Sequence, residues 1–198
     1  MYKPIPRSLL KVMLLLFLGT QLCQSQVGYE REYRIRKSQF PTLAVDYMLI
    51  GHKINKKRYY KEVDSLGPTY ILKFKKGRLH YHLSFDDSGN LKNSGFRVYE
   101  IDLPEETLQE IKRYLSATFK KYSIKRMYQQ YGFQQGESGK SLLKNTFQNL
   151  LLPSNVYKLI VTGKRDQKMA EYDFWFNAEG NLVKKRAALP MNHDRILY

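Results

Sequence analysis

The sequence predicts an α+β fold: two tandem helix-plus-antiparallel-hairpin units forming an antiparallel sheet with helices on one face. Three observations predict it. The segment Phe85-Asp-Asp-Ser-Gly-Asn-Leu91 returns 91 positions later as Phe176-Asn-Ala-Glu-Gly-Asn-Leu182. Each copy follows a stretch in which apolar and polar residues alternate, the period of a half-buried strand. Each unit also opens on an apolar residue and a proline, Phe40-Pro41 and Leu103-Pro104. Apolar residues at helical spacing follow both, Val45 and Met48 in one and Leu108 and Ile111 in the other.

Residues 1–25 stand apart. Lys3, Arg7 and Lys11 precede an apolar run from Val12 to Leu18, and Cys23-Gln24-Ser25 supplies small residues at the cleavage position, so this stretch reads as a signal peptide. The run is too short to span a bilayer, which takes about 20 apolar residues. The expectation is a periplasmic or secreted chain. Cys23 is the only cysteine, and the bulky Leu22 before it argues against a lipoprotein signal, so lipidation is not expected. Without Cys23 there is neither disulfide nor thiolate chemistry. The whole chain carries +16, and losing the leader's three basic residues leaves +13. Such a field attracts polyanions. A secreted chain seldom meets nucleic acid, so none is expected as a partner; the charges read either as solvated faces of a basic envelope protein or as a surface for anionic lipid or glycan.

After a charged N-terminal arm at 26–37, an arm or an edge strand, the first unit is placed at 38–98. A helix is expected from Phe40 to Gly51, with Pro41 in its first turn and Val45, Met48 and Leu49 as its stripe. A charged, aromatic strand follows from Lys53 to Asp64. Ser65 to Pro68 breaks the chain before a hairpin folded at Lys76-Gly77. Alternation puts Tyr70, Leu72, Phe74, Leu79, Tyr81, Leu83 and Phe85 on a core face, and Lys73, Lys75, Arg78, His80, His82 and Ser84 on a solvated one. The second unit, 99–189, opens on Asp102 and Glu105 at capping-box spacing, with a stripe of Leu108, Ile111, Leu115 and Phe119. The strand Tyr122 to Phe133, the hairpin Val156 to Lys164 with Lys168 to Asn177, and a last strand Leu182 to Ala188 complete it. Pro41 to Phe85 spans 44 positions and Pro104 to Phe176 spans 72, so the second unit carries an insertion of 28, placed near 132–153. Within it Leu143, Phe147, Leu150 and Leu151 predict an amphipathic helix over 140–152. The tail, 190–198, is uninformative.

A helix opened by proline, a charged aromatic strand, and a hairpin ending in Phe-Asp-x-x-Gly-Asn-Leu, used twice behind a signal peptide, resembles the PepSY-like family, also described as β-lactamase-inhibitor-protein-like. The resemblance covers about Phe40 to Lys185. It implies tandem α/β units whose helices cover one face of an antiparallel sheet and leave the other open, in non-catalytic exported proteins that often bind or inhibit other proteins. The insertion and the arm depart from that pattern.

Several residue groups are candidate sites. Gly136-Glu-Ser-Gly-Lys-Ser141 has only two residues between its glycines where a phosphate loop needs four, and reads as a linker. His80 and His82 share a face as two metal ligands would, but no third ligand is forced near them, so they read as solvated sheet histidines. Asp86-Asp87-Ser88-Gly89-Asn90 lacks the distal acid of a calcium loop and reads as a turn. No catalytic constellation is visible, and neither an enzyme activity nor a cofactor is expected. Shifting by 91 positions sets Ser84 on Trp175, His82 on Asp173 and His80 on Glu171. Trp175 is then either an exposed interface anchor or buried beneath the insertion helix. The same shift makes the first unit's open face basic (Lys73, Lys75, His80, His82) and the second's partly acidic (Asp173, Glu171). A binding module that engages an envelope protein through Trp175 and these residues is therefore expected, and the resemblance implies that such binding can be inhibitory. The alternative is a basic peripheral protein on anionic lipid or glycan.

Overall fold

The computed structural model describes residues 31–41, 49, 51–64, 66–165 and 168–188. The expected signal peptide, the body of the first expected helix (42–48) and the tail 190–198 lie outside the described residues. The chain forms one nine-stranded antiparallel sheet in strict sequence order. Its strands are β1 (Arg31–Ile35), β2 (Asn55–Asp64), β3 (Gly67–Lys76), β4 (Leu79–Phe85), β5 (Leu91–Val98), β6 (Lys121–Gly132), β7 (Val156–Arg165), β8 (Lys168–Phe176) and β9 (Leu182–Ala187). Two α-helices occur among the described residues, α1 (Glu105–Thr118) between β5 and β6 and α2 (Gly139–Phe147) between β6 and β7.

This corrects the predicted fold class. The architecture is a continuous, sheet-dominated meander in which every strand pairs with its chain neighbours, and not two helix-plus-hairpin units. The error has a specific source. Leu91-Lys-Asn-Ser-Gly-Phe-Arg-Val98 carries Asn, Ser and Gly, residues depleted in strands, so it was not expected to be one. As β5 it joins β4 to β6 along their lengths. The arm proves to be an edge strand over β1, paired with β2 from Arg31–Val63 to Ile35–Tyr59.

One face of the sheet is apolar and covered. Leu72, Leu83, Leu159, Phe174 and Phe176 lie on it, and α1 buries Leu108, Ile111 and Leu115 against it. Tyr114 sets its ring edge on Phe174 and Phe176, with centroids 6.1 and 5.6 Å away. The capping box expected at the start of α1 is not formed. Pro104 is the N-cap, and Asp102 Oδ2 instead accepts from Tyr99 N (2.7 Å), closing the preceding 3-10 turn. Helix α2 covers the sheet beside α1, with Leu142, Leu143 and Thr146 buried, and the Thr146 hydroxyl bonds that of Ser94 on β5. The sequence placed this helix over 140–152, but it stops at Phe147. Asn149 takes a positive φ, and Leu151 is 61% exposed in the loop beyond. That loop is fastened at a single carbonyl: Leu150 O accepts from Gln129 Nε2, Tyr131 Oη and Asn155 Nδ2 at 3.0, 2.8 and 2.9 Å.

The two echoed segments close with the same hydrogen bonds. Asp86 N bonds Asn90 O, Gly89 N bonds Asp86 O, and Asn90 N bonds Asp86 Oδ1; Asn177, Gly180 and Asn181 repeat all three. Asp86 spends its carboxylate on Asn90, which holds it below the usual carboxylate range. The second turn rests on α1, where Thr107 Oγ1 donates to Ala178 O (2.6 Å). A Cβ at Gly180 would lie 2.7 Å from both Thr107 O and Glu110 Cβ, at a φ of +87°. Gly180→Ala is expected to lower the unfolding free energy by about 2–3 kcal/mol, combining left-handed strain with overpacking. A urea midpoint unchanged from wild type would contradict this packing.

Candidate functional site: the cationic cup

The opposite face is not flat. The sheet coils until side chains from β2 and β9 meet across it: Arg186 Nη2 donates to Glu62 Oε1 at 2.6 Å, and Nη1 lies 3.7 Å from Asp64 Oδ2. The result is a cup of about 390 Å³ whose walls come from strands at both ends of the sheet. This corrects the expectation of an openly solvated face. His82, Ser84 and Ile160 point into the cup yet are buried, as is Ile71, because the walls shield them. His80, Lys73 and Lys75 lie on the same face as expected, whereas Arg78 sits in the β3–β4 turn and belongs to neither face.

Register places the wall residues. Arg97 stands opposite Tyr128, Tyr128 opposite Lys158, Lys158 opposite Trp175, and Trp175 opposite Lys184. Cations and aromatic rings therefore alternate across five strands, at about 4.8 Å per step. Trp175 answers to neither sequence alternative. It is half-buried in the cup wall, and α2 packs on the other face of the sheet. Lys158, Lys184 and Arg186 lie 4.9, 5.4 and 5.2 Å from its ring centre.

Two of the three positive charges around Trp175, Lys158 and Arg186, are drawn there by an acid beneath them. Asp173 is fully buried, and its Oδ2 accepts from Arg186 Nε and Nη2 (3.2 and 3.0 Å), with Lys158 Nζ at 3.3 Å. Glu62 and Asp173 together hold the Arg186 guanidinium charged, its pKa raised despite its burial. Asp173 therefore does not offer a negative patch at the surface. The other sequence-predicted acid, Glu171, is not among the residues that line the cup and stands opposite Thr162 on β7. Across the cup, Lys73 forms an ion pair with the buried Glu32 and lies 4.3 Å from the Tyr60 ring centre.

His82 forms the floor. It pairs with Lys73 on one side and Gly95 on the other, and Gly95 pairs with Gln130. Only glycine fits there, since a Cβ at 95 would lie 2.6 Å from His82 Cε1 and 2.4 Å from Gln129 O. The His82 ring meets Tyr128 edge-on at 5.4 Å, and its Nε2 is 3.2 Å from Gln130 Nε2. Burial, then Lys73 and Lys158, push its pKa down to about 3. His80, by contrast, is exposed at the mouth, its pKa lowered by partial burial and by Lys75, Arg97 and Lys56. Among the described residues no three His, Cys, Asp or Glu side chains cluster as metal ligands.

The charge of the cup is uneven. Among its described lining residues ten are lysine or arginine and three are acidic, and Glu32, Glu62 and Asp64 each face a cation. Arg97, Arg126, Lys158, Lys184 and Arg186 were not singled out from sequence. The signal that could have found them is the register of β5, without which the wall cannot be counted across.

Fold and site thus define an antiparallel-sheet protein with a cationic, aromatic cup on the face opposite its two described α-helices. No family model matches the chain, and no curated protein matches it. A solved structure similar to it is that of a BLIP-like protein from Bacteroides fragilis, 11% identical, with a TM-score of 0.47 over 78% of this chain and 92% of that one. No family model stands behind the PepSY-like part of the resemblance read from the motifs.

Proposed function

We propose that this chain is a non-catalytic binding module, exported by its leader, that engages a protein partner by taking an acidic segment of it into the cup. One observation carries the reading: ten cations line the cup, and the three acids among them are already paired. A volume of about 390 Å³ suits a few side chains of an inserted segment. Complementary charge speeds encounter with such a segment and selects its sign.

Trp175 is the only tryptophan and lies in the wall, so its fluorescence reports on the cup directly. Titration with hexaglutamate is expected to shift that emission, with affinity falling as salt rises. Reversing two wall charges, Lys75→Glu with Arg126→Glu, is expected to weaken binding at least ten-fold. An equal response to hexalysine, or none to hexaglutamate, would contradict the reading. The alternative, peripheral attachment to anionic lipid or glycan, draws support from the 34 basic residues of the chain, most of them outside the cup lining. It predicts retention on anionic vesicles that survives in the double variant.

A further inference from the structure

The cations of the cup are not scattered. Lys75 stands opposite His80, and Arg97 is next across, one position past the pair of Tyr81 with Phe96. Register then runs on through Tyr128, Lys158 and Trp175 to Lys184. One cross-strand row from β3 to β9 therefore reads cation, ring, cation, ring, cation, ring, cation, with no acid in it. Every member lines the cup and none is buried, so the row is open to a ligand. The rows beside it differ: Lys73, His82, Gly95 and Gln130 carry one cation, and Arg126, Ile160, Asp173 and Arg186 set an acid among two. Only every second strand supplies a cation to the open row, so neighbouring charges stand two strand spacings apart, about 9.6 Å at the backbone. The concave wall draws their ends closer. Few peptide conformations match that interval. Same-face side chains of a β-strand recur about 6.8 Å apart. An α-helix is about 10–12 Å across with its side chains, too broad for a cavity of about 390 Å³. A polyproline II segment turns once per three residues and rises about 3.1 Å for each, so every third side chain returns to the same edge about 9.3 Å on.

We propose that this row selects an acidic segment in the polyproline II conformation, with a carboxylate at every third residue set on successive cations among Lys75, Arg97, Lys158 and Lys184. In that conformation the residues between the acids pass over His80, Tyr128 and Trp175, as proline-rich segments do over aromatic-lined grooves. The inference rests on the acidic-segment reading, and it adds the spacing and the conformation that the segment must have.

The test is titration of the intact chain, followed by Trp175 fluorescence, with two peptides of one composition: four Glu-Pro-Pro repeats, and two Glu-Glu-Pro-Pro-Pro-Pro repeats. Both carry four carboxylates and eight prolines, so they differ in spacing alone. The evenly spaced peptide is expected to bind at least ten-fold tighter. Arg97→Gln with Lys184→Gln, which thins the row, is expected to bring that ratio below three-fold. Lys56→Gln with Lys92→Gln removes the same charge from lining residues off the row and is expected to leave the ratio unchanged. Equal affinities in wild type overturn the proposal, as does an equal fall of the ratio in both variants. Should the first variant not fold, the wild-type ratio decides alone. A hyaluronan octasaccharide, with its four carboxylates, binding tighter than the evenly spaced peptide also overturns it. Hexaglutamate binding without a preference between the two peptides overturns the spacing and leaves the acidic-segment reading standing, whereas no binding of hexaglutamate or of either peptide overturns both.

Discussion

Replacing Arg186 with methionine is expected to destabilise the protein by about 3–5 kcal/mol, the cost of removing one member of a buried ion-pair network. The magnitude follows from what is left behind. Asp173 has no exposed surface, and Arg186 supplies two of the hydrogen bonds to its Oδ2. Without the guanidinium, Lys158 at 3.3 Å is its remaining close cation. The same substitution also severs the bond from Nη2 to Glu62, which spans 124 positions of chain and ties β9 to β2. Two effects are thus bundled in one residue, and a second variant separates them. Asp173→Leu with Arg186→Met removes the fully buried carboxylate as well, so it is expected to recover part of the loss while the cup stays untied and Glu62 and Lys158 lose their partners. Urea unfolding of wild type, both single variants and the double closes the cycle. If Arg186→Met costs under 1 kcal/mol, the network is a surface pair and the cup is not held by it.

The parts legible in the sequence were those written in periodicity. Leu108, Ile111 and Leu115 announced α1, the charged aromatic stretches announced β2 and β6, and the shared turn at Gly89 and Gly180 survives down to its hydrogen bonds. What escaped was written in residues that bury without being apolar. Ser94 and Gly95 are buried in β5, one for a hydroxyl bond to Thr146 and the other for the His82 ring that crosses it. Neither leaves a hydrophobic trace, so β5 is not legible, and the continuous meander reads instead as two tandem helix-plus-hairpin units of an antiparallel sheet. The site failed for a related reason. Alternation assigns a residue to a face, but it says nothing of whether the sheet coils, and the coil turns the polar face into a cup. His80 and His82 look alike in sequence. One is at the mouth and the other at the floor because their strand runs into the concavity.

Lowering the pH from 6.5 to 4.5 is expected to remove about 2–3 kcal/mol of stability, most of it through His82. In the unfolded chain this ring titrates near 6.5, whereas in the fold its pKa is near 3. Between those values the unfolded state holds a proton that the folded state does not, so stability falls as the pH drops, by up to about 1.4 kcal/mol per unit. A unit or more above pH 6.5 the ring is neutral in both states and contributes no slope. The charged groups facing the ring are Lys73 from β3 and Lys158 from β7, with Glu32 from β1 opposing them weakly. Tyr128 and Gln130 of β6 complete its surroundings without charge at these pH values. Protonation would also turn Nε2 into a donor facing the Gln130 amide, so the floor would lose its one bond as it gained a charge. His80 is shifted in the same direction, but it is exposed and screened. The Asp86 carboxylate is held below the usual carboxylate range by Asn90 and does not add to this decline. His82→Gln therefore isolates the effect. Its urea midpoint is expected to stay nearly level from pH 6.5 to 4.5 while that of wild type declines, and parallel slopes in the two proteins would show that the buried ring is not the titrating group.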